Sequence, residues 1–326
     1  MHPSIATILK NSTRKKDSKL NIITFSTHER YQSNMSCVDA TFWTINTPEL
    51  KLWNKNFAPV PKNHILINNV YNITDLPQYA EYDAVLSQSK YTQFQLAQKI
   101  SNFYKIPLIS VEHTEMVKER IHFKEMIGDA NIFISEFSAK SWEPNYNYYV
   151  IEHGVDNKIF YNKNIKRKNV ILSVVNDWIN RDLECGYYDW KEITKDLPTF
   201  VVGNTPNLSQ PAKTTDDLVN FYNTYSIFLN TSIHSPIPTT LLEAMSCGCC
   251  VITTENQMIS SVIQNGINGF VSNNKEELRK YLEICLKDGE LCKKIGKNAR
   301  DTIIKRFCLN NFTKNWNIVL RKTLEN

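Results

Sequence analysis

Short apolar runs of strand length alternate along this chain with longer helix-patterned stretches, and the alternation happens twice. The first series is LNIITFS, HILINN, DAVLSQS, IPLISV, ANIFIS and YYVIEHGV. After the polar, basic stretch YNKNIKRKN the second series is VILSVV, TFVVGN, SIFLNTS, CCVITT and NGFVS. Helical patterns such as TTDDLVNFYNTY and KEELRKYLEICLKDG lie between them. Strands joined through helices run parallel, because the chain must travel back along the sheet before the next strand begins. Near-continuous apolar strands mean a sheet covered on both faces. The sequence therefore predicts an α/β chain of two doubly wound, Rossmann-like domains. A basic tail occupies 1–19, the first domain 20–162, the second 163–305, and a C-terminal helix over 306–326 is placed to return to the first domain. At 326 residues the chain is long enough for two such cores.

Several function classes fall away. The first glycine is Gly128, so no glycine-rich phosphate loop follows the first strand, and neither GxGxxG nor GxxxxGK occurs. Dinucleotide oxidoreductases and P-loop nucleotidases are poor candidates. No DxD triplet is present to hold a metal-bound diphosphate, so phosphate must be met by helix ends and basic side chains. The start of the chain lacks a signal-peptide pattern and no apolar run is long enough to span a membrane, which predicts a soluble, cytoplasmic protein. The cysteines do not form a disulfide-like framework. CGCC at 247–250 has no second CxxC or His pair, and Cys250 runs into a strand, so the sequence assigns no metal. Most of the net charge of +5 sits in the tail, where Lys10, Arg14, Lys15, Lys16 and Lys19 face Asp17. Lys293, Lys294, Lys297, Arg300, Lys305 and Arg306 gather near the C-terminus, as a solvated helix face or a polyanion-binding one.

Doubly wound sheets bind ligands beyond the carboxyl ends of their strands. Two facing sheets suggest a cleft lined by those loops. SIHSPIPTTLLEAMSCGCCVITT, residues 232–254, follows one such strand end. Pro238 suits the first turn of a helix, which ends at Gly248 in a left-handed conformation. Thr239, Thr240 and Leu241 then present free N–H groups and the positive helix end to an anion. Glu243, within the next turn, is placed to accept hydrogen bonds from a vicinal diol, or merely complements the helix dipole. Diphosphate on the helix end and ribose on the glutamate would suit a nucleotide.

SPIPTTLLEAMSCGCCVITT followed by IQNGINGFVSN resembles the donor-binding segment of the GT-B retaining glycosyltransferases, particularly glycosyltransferase family 4. VIEHGVDNKIF resembles the strand end that closes that family's first domain, VILSVVNDWINRD falls at its Ser-Val-Gly-Arg segment, and VEHTE resembles its histidine-bearing loop. The resemblance extends over about residues 105–300. It implies a GT-B fold and metal-independent transfer of a sugar from a nucleotide-diphosphate sugar to an acceptor hydroxyl, with retention and without a cofactor. The acceptor stays open among a glycan, a lipid-linked or small molecule, and a nucleic acid, with peripheral association at a surface allowed by the basic segments.

The departures are specific. The family's first glutamate falls on Ser235 and its Gly-Phe-Gly becomes PIP. Its diphosphate-binding arginine falls on Asn176 and its lysine on Arg181. The resemblance thus assigns Arg181, with the N–H groups of Thr240 and Leu241, to the diphosphate, Glu243 to the ribose, Ser235 to the donor sugar and His113 to the transferred sugar near the reacting centre. It places Gly203, Asn204 and Thr205 near the base. Loss of the first glutamate favours a different donor sugar or a degenerate GT-B module that binds a nucleotide or partner without transfer. Thr27, His28, Glu29 and Arg30 after the first strand either meet the acceptor or, through Thr27, cap the next helix. Trp178 is a core residue or a border of the donor pocket. His153 reads as structural.

Overall fold

A computed structural model describes residues 19–234 and 237–325, which fall into two compact units: 19–153 with 310–325, and the described residues of 154–309. The first unit therefore closes at His153 rather than 162. The intervening segment belongs to the second unit: the Phe160 carbonyl accepts the Ser246 hydroxyl at 2.6 Å, and Arg167 donates to the carbonyls of Tyr222, Tyr225 and Cys247. The basic residues that looked like linker in sequence are thus partly clamps.

Among the described residues the first unit holds seven parallel strands: β1 (Leu20–Phe25), β2 (Ala40–Ile45), β3 (His64–Ile67), β4 (Ala84–Ser87), β5 (Leu108–Glu112), β6 (Ala130–Phe133) and β7 (Tyr148–Val150). Their order is β3-β2-β1-β4-β5-β6-β7. Helices α1 (Glu29–Asn34), α2 (Thr92–Tyr104) and α3 (Glu136–Trp142) follow β1, β4 and β6. Ile22, Ile23 and Phe25 on β1 are all fully buried, as a strand covered on both faces requires. β2, reading ATFWTI, was not among the runs picked out in sequence, because Thr41 and Thr44 break its apolar continuity. Its register, with Ile22 beside Phe42, places it next to β1.

The second unit holds β8 (Lys168–Val174), β9 (Thr199–Val202), β10 (Tyr225–Asn230), β11 (Cys250–Thr253) and β12 (Phe270–Val271), all parallel, in the order β12-β11-β10-β8-β9. Each matches a run of the second series. The helices are α4 (Asp182–Cys185), α5 (Tyr187–Ile193), α6 (Thr215–Thr224), α7 (Thr239–Ser246), α8 (Gln257–Ser260), α9 (Lys275–Lys287) and α10 (Gly289–Arg306). Thr214 and Asn274 cap α6 and α9 through their side chains. The strand order reverses between β8 and β10, where open α/β sheets place their ligands. The last helix, α11 (Leu309–Glu325), supplies Phe312 and Trp316 to the first unit. Trp316 Nε1 donates to the Tyr31 hydroxyl at 3.2 Å. No helix among the described residues is long and apolar enough to cross a membrane.

Candidate functional site

At the switch point of the second sheet the loops after β8 and β9 are stitched together. Asn176 Oδ1 accepts the Asn204 N–H at 2.8 Å, the Asn204 carbonyl accepts the Asp177 N–H at 2.8 Å, and Thr205 Oγ1 accepts the Trp178 N–H at 3.1 Å. Gly203 makes this approach possible. Its φ is +141°, and a Cβ there would run into the Val175 carbonyl. Asn176, Gly203, Asn204 and Thr205 thus form one structure. The Asn176 oxygen and the Thr205 hydroxyl hold the loops, and Thr205 is buried. Arg181 stands at the N-cap of α4 with an exposed side chain. Trp178 is fully buried, donates Nε1–H to the Cys185 carbonyl at 2.8 Å, and packs against Tyr187 and Trp190, which makes it core rather than a pocket border.

The exit from β10 is anchored from both sides. Thr231 Oγ1 donates toward the Cys185 and Gly186 carbonyls, and Thr254 Oγ1 donates to the Ser232 carbonyl. Ser235 lies outside the described residues. Pro238 is the N-cap of α7, in extended conformation, rather than a residue of its first turn, so the helix starts one residue later than expected. The Leu241 N–H is nevertheless not free: it donates to the Pro238 carbonyl three residues back, at 3.1 Å, tightening the first turn. The N–H groups of Thr239 and Thr240 have no preceding helical carbonyl to bond. At the other end Gly248 takes φ +81°, and the Gly248 and Cys249 N–H groups bond the Met245 and Ala244 carbonyls.

Glu243 differs from the expected open diol receptor. Residues 241–246 are all buried, because α7 is wedged against β10 and β11, and Glu243 is 3 % exposed. A buried carboxylate needs a partner. The Tyr222 hydroxyl on α6 supplies one, donating to Glu243 Oε2 at 3.0 Å. Tyr222 was not foreseen. Its signal is a hydroxyl on the apolar stripe Leu218, Val219, Tyr222 of α6, a position that demands a buried acceptor.

In the first unit, Thr27 does not cap α1; His28 occupies the N-cap, and Gln32 folds back to accept the Thr27 and His28 N–H groups. The Thr27 hydroxyl bonds the Phe25 carbonyl and Gln93. Glu29 is buried, pairs with Lys51 at 2.8 Å and accepts the Asn54 N–H, so neither Thr27 nor Glu29 is held open for an acceptor. Arg30 is half-buried on α1.

His113 lies just beyond β5 and packs edge-on against His28, centroids 4.6 Å apart, and Tyr31, at 4.7 Å. His153, after β7, stacks 6.2 Å from His113 and meets Tyr31 edge-on at 5.6 Å. Burial, then repulsion from His28 and His153, holds the His113 imidazole well below its ordinary value, and burial lowers His153 to about 4. His28 keeps contact with solvent, yet protein crowds its inner side; desolvation and then Lys51 lower it too. At neutral pH these rings are neutral. His113 Nε2 is buried without a partner. So are both carboxamide atoms of Gln88, the first residue after neighbouring β4, which is 3 % exposed. Sequence inspection missed Gln88 and gave His153 only a structural part.

Residues 208–302 match the family model for group 1 glycosyl transferases. That segment contains β10, α7 and β11, and hence Glu243, Thr239 and Thr240. The whole fold is that of the GT-B glycosyltransferases. HepE from Anabaena, solved with UDP and glucose, aligns with a TM-score of 0.69 at 14 % identity, over 90 % of this chain and 97 % of that one. Sucrose-phosphate synthase from Thermosynechococcus elongatus aligns with a TM-score of 0.70 at 12 % identity, over 93 % and 98 %. A glycosyltransferase from Rickettsia africae aligns with a TM-score of 0.66 at 18 % identity, over 94 % and 99 %. A search of curated proteins finds no match.

Proposed function

We propose that this chain is a nucleotide-sugar glycosyltransferase that works with retention and without a metal ion. The observation that carries it is a convergence within the second unit. Arg181, the Thr239 and Thr240 N–H groups and Glu243 all follow β8 or β10, the two strands flanking the switch point. Arg181 and the amino end of α7 would hold the diphosphate, whose negative charge grows as the sugar departs. Fixed donors and a fixed guanidinium stabilise that charge in the transition state, a task a divalent metal performs elsewhere. Glu243 would turn its carboxylate to a ribose hydroxyl, with the Tyr222 hydroxyl orienting it through Oε2. The stitched loop at Asn176, Gly203, Asn204 and Thr205 would border the base. UDP in the HepE structure makes uridine diphosphate the first nucleotide to try.

On the first unit, His113 and Gln88 offer unpaired polar atoms to sugar or acceptor hydroxyls, with Arg30 and His28 nearby in sequence after β1. Ser235 would face the donor sugar. The site would need no cofactor beyond the nucleotide sugar.

Thermal melting of the purified chain tests this. A uridine or other nucleoside diphosphate should raise the melting temperature, and Glu243→Ala and Arg181→Ala should each remove the rise. No shift from any nucleotide or nucleotide sugar would refute the proposal. The engagement of Asn176 with a backbone N–H favours one further reading, a module that binds nucleotide without transfer; formation of product from any donor and acceptor pair would eliminate it.

A further inference from the structure

Three cysteines from separate parts of the second unit meet in its core. Cys250 opens β11, Cys285 lies in the last turn of α9 and Cys292 in the first turns of α10. Their sulfur atoms all lie within 4.8 Å of one another, with Cys250 and Cys285 at 3.7 Å, and all are free thiols. Exposures are 0 %, 0 % and 4 %. The surrounding side chains are apolar, among them Ile252, Leu278, Leu282 and Ile295. The cluster has no part in the donor site, since Cys250 stands at the amino end of its strand and the site residues follow the carboxyl ends.

We propose that Cys250, Cys285 and Cys292 form a three-sulfur site for a soft, thiophilic cation, with Cu(I) the best fit. A metal bonded to sulfur at about 2.3 Å holds neighbouring sulfurs roughly 3.7–4.0 Å apart in tetrahedral or trigonal geometry, and the Cys250–Cys285 separation already falls there. Structural zinc completes four ligands. Among the described residues no other His, Cys, Asp or Glu joins these three; the Cys285 carbonyl, which accepts the Cys292 thiol at 3.2 Å, is a single polar partner in an apolar surround, where a buried water in the fourth position needs two to four. Sulfur-only coordination with three donors selects a soft cation content with three ligands. Cys285 and Cys292 flank the α9–α10 turn at Asp288, and Cys292 alone of the three keeps measurable exposure, so the cation would enter at that turn.

The test is anaerobic titration of the reduced full chain with Cu(I) against a competing chelator, in a Cys37→Ala/Cys308→Ala background that removes the more accessible thiols. One Cu(I) retained per chain, with three sulfur neighbours in its X-ray absorption spectrum, would support the site. Cys285→Ala and Cys292→Ala should each weaken retention by more than the roughly 10–100-fold that loss of an outer-shell partner costs. The absorption spectrum needs no core variant, so it decides the matter even if those variants fold poorly. No retained Cu(I), two-sulfur coordination, undiminished binding in folded Cys285→Ala/Cys292→Ala chains, or tighter binding of Zn(II) than Cu(I) would each overturn it.

Discussion

The Tyr222 hydroxyl donates to Glu243 Oε2 at 3.0 Å, joining α6 to α7 inside the core of the second unit. Removing either group takes this buried hydrogen bond from the other. Tyr222→Phe should therefore destabilise the fold by about 1–3 kcal/mol, measured by urea unfolding, and weaken nucleotide binding by freeing the carboxylate to turn. Unchanged affinity would show that the tyrosine does not orient Glu243.

Arg181 is the exposed cation beside the switch point. Arg181→Ala should lower kcat by roughly 10²–10³-fold, the cost of losing one fixed charge-stabilising donor, with little effect on melting in the absence of nucleotide. Arg181→Lys should recover only part of the rate, because an ammonium cannot form the planar two-pronged contact with phosphate. Equal rates for the wild type and Arg181→Ala would remove it from the mechanism.

Gly203 permits a φ of +141° where the Val175 carbonyl leaves no space for a Cβ. Gly203→Ala should cost at least about 1–3 kcal/mol in stability and part the stitched loops. Calorimetric titration should then show weaker nucleotide binding as well.

Gln88 buries both carboxamide atoms unpaired. Replacing such a group by an apolar one of similar size is nearly neutral or stabilising, so Gln88→Leu should melt no lower than wild type. If Gln88 meets an acceptor hydroxyl, the same variant should raise the acceptor KM. Lower stability with unchanged KM would mark it as structural.

Stability should fall in acid through the buried histidines. Burial lowers His64 to about 3 and His153 to about 4, whereas both regain about 6.5 when unfolded. The unfolded chain then binds more protons below about pH 6.5, so their stabilising contribution is complete above that pH and is lost as pH falls toward the folded values. Melting followed from pH 7 to 4 should decline, and His153→Gln should decline less steeply. Parallel curves would contradict this.

The second unit was legible in sequence because its five strands are apolar runs bounded by Asn, Gly and Thr. Gly248 marked the end of α7 correctly through its left-handed conformation. What escaped were relationships between distant residues. Tyr222 and Glu243 are 21 positions apart, and nothing in either segment names the other. Cys250 meets Cys285 and Cys292 only because β11 packs beneath α9 and α10. The grouping of His28, His113 and His153 needs the sheet order and the placement of Tyr31, which no local pattern supplies. Pro238 stands at the N-cap rather than within the first turn, and the Leu241 N–H is taken by its carbonyl in a tight turn that no local pattern announces.

The most direct measurement is the structure of the chain with a bound nucleoside diphosphate. The account predicts the diphosphate on the Thr239 and Thr240 N–H groups within reach of Arg181, with a ribose hydroxyl on Glu243 and Tyr222 still in contact. Nucleotide bound away from α7, with Glu243 held as it is in the free chain, would contradict it.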